Sequence, residues 1–504
     1  MNNSKSLMSF LGWVERTGNR IPHPFTLFLY LIGFVFVVSW VGSLLGLAVV
    51  HPGTEKEIAI KSLISSDGLH YILESMVTNF TEFKPLGLVL VMMLGIGLAN
   101  KVGLLEAAIK RTLTHTPKSV ITYAVLFIGI LGNLASDAAY IVIPPLAAMI
   151  FRSFGRHPIA GLAAGIAGVG CGFTANIFIG GTDAILSGIT TEVAKVMDPD
   201  KIVTITDNWY FMSLSVIVLT FVGGFITERV VEPRLGTYKE EEDFEEKLVD
   251  LNPSVKRALR NTAMVALLYI GMIALVLFLP HSPLRGEDGG ILVDSPFRDG
   301  IIPFLLGFFV LTGVTYGVTL KKISGVSDVV QYMTESIKDM AGFIVLVFVI
   351  AQFIAYINWS NLTVWIAVGG ADLLKSIQMD GFPSVILFTL ITLILSLLIT
   401  SGSALWSVLA PIFIPMFMLL GYHPAFIQVA YRIADSATNM ITPLNPFVAV
   451  MLGFLAKYDK KAGLGTHVSL LLPYTVAFIV VWCLMLGIFA LFEIPVGPGV
   501  QMYL

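Results

Sequence analysis

Two segments of this chain match one another at a separation of 266 residues, measured from Pro145 to Pro411. In the first, Ser136-Asp137-Ala138-Ala139-Tyr140 leads to Pro144-Pro145 and then to Gly155-Arg156-His157-Pro158. In the second, Gly402-Ser403-Ala404-Leu405-Trp406 leads to Pro411 and then to Gly421-Tyr422-His423-Pro424. The proline, the glycine and the His-Pro pair align without a gap. In each copy a short apolar stretch runs into a small, polar break, and a second short apolar stretch leaves it. Interrupted hydrophobic segments at corresponding places in two halves of a chain point to the binding site of a transporter.

Composition sets the solvent. Of 504 residues, 56% are hydrophobic and 13% charged, with a mean hydropathy of +0.84. Soluble domains carry about 25% charged residues, so this is a polytopic membrane protein with the lipid bilayer as its surroundings. A net charge of −3 excludes an electrostatic case for nucleic acid. The two cysteines, Cys171 and Cys483, both lie in hydrophobic stretches, which argues against a disulfide framework. Lys5, Arg16 and Arg20 precede the apolar stretch 25–50, which reads as an uncleaved first span rather than a signal peptide.

Full spans are expected at 25–50, 86–100, 159–190, 209–228, 261–280, 300–320, 341–357, 424–456 and 467–492. Segments 117–155 and 383–421 differ. Each holds two apolar arms of about 14–18 residues around a polar tip, short of the roughly 20 needed for a crossing. Both read as re-entrant hairpins. The fold class is therefore all-α and polytopic, with nine transmembrane helices plus two re-entrant helical hairpins in an inverted repeat. The first half covers 1–231, with hairpin 117–155 and interrupted span 159–190. A charged cytoplasmic linker follows at 232–260, with Glu240-Glu241-Glu242 in it. The second half covers 261–504, with hairpin 383–421 and interrupted span 424–456.

With the N-terminus inside, cytoplasmic segments carry 22 of the 31 Lys and Arg residues and outer segments carry eight. Cations flank the first hairpin, which is expected to open inside. None flanks Gly421-Tyr422-His423-Pro424, and the second is expected to open outside. Matching motifs of opposite orientation supply the symmetry for alternating access. The outer loop 281–299 carries no functional signal, and segments 101–113 and 361–379 read as interfacial helices leading into the hairpins.

The chemistry is expected at the breaks. The first tip, from Gly132, offers Asn133, Ser136 and Asp137; the second offers Ser401, Ser403 and Trp406. Non-helical backbone at membrane depth survives only against protein or a water-lined cavity. Each hairpin is followed by an interrupted span. One contains Thr174-Ala175-Asn176 and Gly180-Gly181-Thr182-Asp183; its counterpart contains Asp435-Ser436-Ala437-Thr438-Asn439 and Pro443-Leu444-Asn445. The glycines at 161, 165, 168, 170 and 172 have no preceding strand and read as close helix packing, not as a nucleotide loop. His157 and His423, each before a proline, read as helix starts. No His/Cys spacing suits a metal.

Ionisable residues inside the membrane are Asp137, Asp183, Arg432 and Asp435. Each costs roughly 2.5–3.5 kcal/mol to insert and marks a candidate site. Arg432 and Asp435 stand three apart and share a helix face, as an ion pair would. Asp183 has no cation in its own segment, which makes it the first candidate to load and release a proton, followed by Asp435 and Asp137. Trp406, beside a polar break, is placed to stack on a flat ring.

The chain resembles the aminobenzoyl-glutamate transporter (AbgT) family along essentially its whole length. The strings that carry the resemblance include Gly12-Trp13-Val14-Glu15-Arg16, Gly168-Val169-Gly170-Cys171-Gly172-Phe173-Thr174-Ala175-Asn176, Asp207-Asn208-Trp209-Tyr210-Phe211-Met212 and Ser401-Gly402-Ser403-Ala404-Leu405-Trp406-Ser407. The resemblance implies a homodimer in the bacterial inner membrane with nine spans and two re-entrant hairpins; the charge count sets a cytoplasmic N-terminus and, after nine spans, a periplasmic C-terminus. It implies p-aminobenzoyl-glutamate, a folate breakdown product, as substrate, together with sulfonamides that mimic p-aminobenzoate. Family functional positions match at Asp183, Ser403, Trp406, Pro424, Arg432, Asp435 and Asn439. A p-aminobenzoyl ring would stack on Trp406, with carboxylates facing Arg432, Ser401 and Ser403; Asn133, Ser136, Asn176 and Asn445 complete the expected site. No cofactor is implied, and the coupling ion is H+, with Na+ as the alternative. Some members resemble importers and others proton-driven exporters, so direction stays open.

Two other classes compete. A membrane hydrolase would use Ser401 or Ser403, but no membrane histidine sits where it could act as base. A channel would need a continuous polar pore, whereas these polar groups collect at one depth. A primary pump lacks a Walker A sequence.

Overall fold

A computed structural model describes residues 22–50, 55–135, 137–238 and 252–504. Apart from one antiparallel strand pair, Ala48–Val50 with Glu57–Ala59, the described elements are helical. In hydrocarbon a helix satisfies its backbone groups within one segment, which is why so apolar a chain takes this form.

Eight helices among the described residues are long and apolar enough to cross a membrane. Seven fall on expected spans: Pro24–Leu44, Ser66–Lys101, Trp209–Leu235, Pro253–Phe278, Ile301–Thr319, Ala341–Trp359 and Leu464–Leu491. The other two expected spans are broken. Pro158–Ile166 runs into a wide π turn at Ala167–Cys171, and helix resumes only at Gly181–Ala194. Pro424–Thr438 stops before a break that holds Pro443, and helix resumes at Phe447–Ala456. Proline there has no N–H to donate to the preceding turn.

The eighth helix, Gly402–Leu419, is the second arm of hairpin 383–421. Its 18 residues reach about 27 Å at 1.5 Å per residue, at the upper end of the arm length read from the sequence. The remaining arms are shorter: Ile121–Leu131 and Asp137–Ser153 around a 3₁₀ turn at Gly132–Ala135, and Phe382–Ser396. The 11 residues of Ile121–Leu131 reach about 16 Å, roughly half a bilayer core.

The matched motifs have matched roles. Gly155 (φ +71°) and Gly421 (φ +87°) both turn the chain in the left-handed region, where a Cβ is disfavoured. Two residues later His157 Nδ1 accepts from Ile159 N and His423 Nδ1 accepts from Ala425 N, both at 3.2 Å. Each proline then fills the first helical position, where no N–H is needed. The histidines start helices, as expected.

Two apolar clusters organise the chain. The larger joins both hairpins, both interrupted spans and the helices near 24–44, 209–226, 341–359 and 464–491. The smaller gathers Lys84–Lys101, Ile301–Thr319 and the start of Pro253–Phe278. Against it lies Val326–Asp339, a helix the hydropathy pattern did not announce because only one of its faces is apolar. There Ser336 Oγ donates to Met93 O at 2.9 Å. The loop 281–299 does more than the sequence suggested. Its Arg298, 12% exposed, pairs with the buried Asp207 at 2.6 Å and holds the 204–208 loop in place. Of the linker, 239–251 lies outside the described residues.

Candidate functional site

The first interrupted span ends its break at Gly180, where the chain re-enters helix with an acid in the first turn. Asp183 Oδ2 accepts from Gly180 N at 2.8 Å and from Asn176 Nδ2 at 3.0 Å. Its other oxygen, Oδ1, meets Arg432 Nη1 at 2.8 Å. The two side chains are 5% and 1% exposed. This corrects the sequence reading on two counts. Asp183 has a cation after all, supplied by the opposite half, and Arg432 pairs with it rather than with Asp435 on its own helix. A charge buried this deep is tolerated only when it is paired and hydrogen-bonded.

Arg432 also ties the breaks together. Its Nη2 donates to Thr174 O at 2.7 Å, and Thr174 meets Ser436 hydroxyl to hydroxyl at 2.6 Å. The two interrupted spans therefore cross at Thr174 and Ser436. Close approach there depends on Gly170, where an added Cβ would lie 1.8 Å from Met440 Cγ. One donor of the guanidinium remains: Arg432 Nε is buried and has no partner.

Asp435 forms no ion pair among the described residues. It is 9% exposed and lies against the second tip, within 2.6 Å of where a Cβ on Gly402 would be. Tyr431, one turn earlier, lies beside this carboxylate and donates to Gly402 O at 2.5 Å. The Trp406 ring packs on Tyr431 with centroids 4.5 Å apart. Trp406 is fully buried, so in this conformation its face is covered by Tyr431 and not presented to a ligand, contrary to the expected stacking surface. Ser401 caps the second arm through Ala404 N at 3.4 Å and lies 3.4 Å from the Ser403 hydroxyl; both are half-buried.

A chain of polar contacts runs from this tip to the ion pair. Trp406 Nε1 donates to Thr190 Oγ1 at 3.0 Å, and Thr190 Oγ1 donates to Gln428 Oε1 at 2.6 Å. Gln428 Nε2 then donates to Asn208 Oδ1 at 2.7 Å, with Arg432 Nη1 3.5 Å from the same oxygen. Sequence reasoning missed Thr190, Asn208, Gln428 and Tyr431. A signal existed: Gln428 and Tyr431 stand four residues before Arg432 and Asp435, in a stretch otherwise rich in apolar residues.

A second cluster forms on the first hairpin. Asn445 Nδ2 donates to Asn439 Oδ1 at 2.7 Å, and Asn439 Nδ2 lies 3.4 Å from the Tyr140 hydroxyl. The Tyr140 ring stacks on Phe447 at 4.3 Å. Pro424 is buried at the first position of its helix, one turn before Gln428. Ser136 and the side chains of Asn133 and Asp137 lie outside the described residues.

Two helical hairpins, two interrupted spans and a buried ion pair between halves define a membrane transporter of the broken-helix class. The chain belongs to the AbgT putative transporter family, whose model matches residues 9–504. It is 47% identical over 489 residues to the p-aminobenzoyl-glutamate transport protein of Escherichia coli K12, covering 97% of this chain and 96% of that one. Among solved structures it resembles MtrF of Neisseria gonorrhoeae, described within a class of antimetabolite efflux pumps. The TM-score is 0.91 and the identity 41%, covering 97% of this chain and all of that one. The YdaH transporter of Alcanivorax borkumensis gives a TM-score of 0.89 and 37% identity, over 95% of this chain and all of that one.

Proposed function

We propose that this chain is a secondary transporter of p-aminobenzoyl-glutamate and related aromatic carboxylates, exporting sulfonamide antimetabolites at the expense of the proton motive force. The observation that carries the reading is Arg432: buried, ion-paired across the two halves, and left with one unpartnered donor, Nε, where the two interrupted spans meet. An unsatisfied guanidinium donor in low dielectric favours an anionic ligand, because a buried donor without an acceptor costs about 1–3 kcal/mol. The Escherichia coli relative, named for p-aminobenzoyl-glutamate, supports the substrate class, and the gonococcal neighbour supports efflux.

Stacking of the substrate ring on Trp406 requires Tyr431 to leave the indole face. The ring site is thus one that opens as the second tip moves, and the pose belongs to another conformation. Coupling falls to the carboxylates. Asp183 is caged by three donors, whereas Asp435 sits at the moving tip without an ion pair, so Asp435 is the proton carrier and Asp183 anchors Arg432. The two hairpins are re-entrant and open on opposite faces of the inner membrane, the N-terminus is cytoplasmic and the C-terminus periplasmic, and the working unit is a homodimer.

The test is transport of labelled p-aminobenzoyl-glutamate and of a labelled sulfonamide in proteoliposomes with imposed pH or sodium gradients. Proton-driven accumulation of both substrates is expected. Accumulation under a sodium gradient alone overturns the coupling, and flux without any gradient dependence overturns active transport in favour of a channel.

A further inference from the structure

A cavity of about 920 Å³ lies between helix Leu104–Thr114, the start of Pro253–Phe278 and helix Ile301–Thr319. Among the described residues four cations line it, Arg111, Lys256, Arg257 and Arg260, and no acidic side chain of those residues does. Arg257 and Arg260, three apart on one helix face, are exposed and take part in no ion pair or hydrogen bond among the described residues. Beyond this rim the walls turn apolar, with Leu104, Ala266 and Phe308, and the inner end reaches Leu134 of the first tip and Phe178 of the first break.

Beyond the cavity, the helix that carries Arg257 and Arg260 presents an exposed apolar surface. Helix Pro253–Phe278 is the least buried of the candidate spans, and Met264, Leu267, Leu268 and Leu275 stand more than half exposed along it. At the join between cationic rim and apolar wall sits Thr262. It is 6% exposed, and its hydroxyl is left without a partner. A headgroup anion over the cations, an ester carbonyl at a hydroxyl and an acyl chain along leucine and phenylalanine are the parts of one molecule. Basic pockets between membrane helices hold anionic lipid headgroups by this combination.

We infer that this cavity binds an anionic glycerophospholipid, its phosphate held by Arg257, Arg260, Lys256 and Arg111 and one acyl chain laid toward Leu134. Charge complementarity selects the headgroup and the apolar depth selects a lipid over a free anion, which would leave most of the cavity unfilled. Because the chain ends against the first tip, the lipid would bear on the element that moves in the transport cycle.

The test is native mass spectrometry of the full-length protein released from vesicles of equal phosphatidylglycerol and phosphatidylethanolamine. The wild type is expected to keep phosphatidylglycerol in preference. The double variant Arg257→Gln/Arg260→Gln is expected to lose about tenfold or more of it, since each basic residue at a lipid surface contributes measurably to anionic lipid binding. Arg257→Lys/Arg260→Lys, which preserves charge, is expected to retain it and so controls for folding. Equal retention of both lipids, or unchanged retention in the Gln variant, overturns the inference. Displacement of the lipid by excess p-aminobenzoyl-glutamate also overturns it and makes the cavity a substrate vestibule. Because lipid retention is read without transport, its failure leaves the transport reading untouched.

Discussion

The two hairpins begin from the same motif and are fastened by opposite chemistry. At the open end of the first, Arg156 forms a two-point pair with Glu232, donates to Thr122 Oγ1 at 2.6 Å and lies 3.8 Å from Glu228. At the corresponding place in the second, Tyr422 is fully buried. It packs on Phe417 and Phe426 and forms a bridge with Tyr503 of the C-terminal segment. Backbone bonds from His423 N to Met502 O and from Leu504 N to Gly421 O close that end, both at 2.9 Å. The geometry that glycine, histidine and proline impose is shared, whereas the residue between glycine and histidine has become a cation in one half and an aromatic in the other. One hairpin is held by a charge clamp and the other by an apolar plug. A repeat can thus keep its backbone symmetry while its two ends respond to different conditions.

The same asymmetry reaches the tips. The second tip connects through Trp406, Thr190, Gln428 and Asn208 to the Asp183–Arg432 pair. The first hairpin offers, through its second arm, the 3.4 Å contact of Tyr140 with Asn439. The largest effect is therefore expected at the ion pair both halves share. Asp183→Asn or Arg432→Gln should each cost about 3–5 kcal/mol, because one removed partner strands a buried charge. Thermal unfolding in detergent would show it, with transport abolished. The double variant should regain part of the stability and none of the transport. Full additivity of the two losses would break the pairing.

Next in size is the relay. Gln428→Leu leaves Thr190 and Asn208 without their partner, at a cost of about 1–3 kcal/mol, and should reduce transport while Asn439→Ala on the first side changes it less. Uptake rates of the two purified variants, normalised to folded protein, check the order; equal losses would mean the tips contribute alike. Smaller still are the clamps. Arg156→Gln should cost about 1 kcal/mol and lose that cost at high salt. Tyr422→Phe removes a 3.4 Å contact to Asp380 O and hydroxyl contacts with Ser384 and Tyr503, and should cost about 1 kcal/mol or less at any salt concentration. Salt-dependent unfolding distinguishes them.

Much of this was legible in the chain because membrane depth makes polar residues rare and conspicuous. The breaks at 172–180 and 439–446, both tips and the four ionisable groups stand out against apolar runs. Pairing was not legible. Asp183 and Arg432 lie far apart in sequence, and the nearest carboxylate on the same helix face, Asp435, looked like the partner until the crossing of Thr174 and Ser436 brought the other half closer. Trp406 was found but its neighbour was not, since Tyr431 reads as one more aromatic in a membrane helix. Val326–Asp339 was missed because a one-faced helix has no apolar run.

The central claim is that two matched hairpins enter from opposite faces and that the interrupted spans following them meet at one ion pair. Sided cysteine labelling tests it directly. Ser153 and Ser376 are exposed residues at the end of the first hairpin and before the start of the second. Each would be changed singly, Ser153→Cys or Ser376→Cys, after Cys171→Ala and Cys483→Ala. A membrane-impermeant maleimide applied to intact cells should label only the 376 variant, with the 153 variant labelled only in inside-out vesicles. Labelling of both from one side would contradict the inverted repeat.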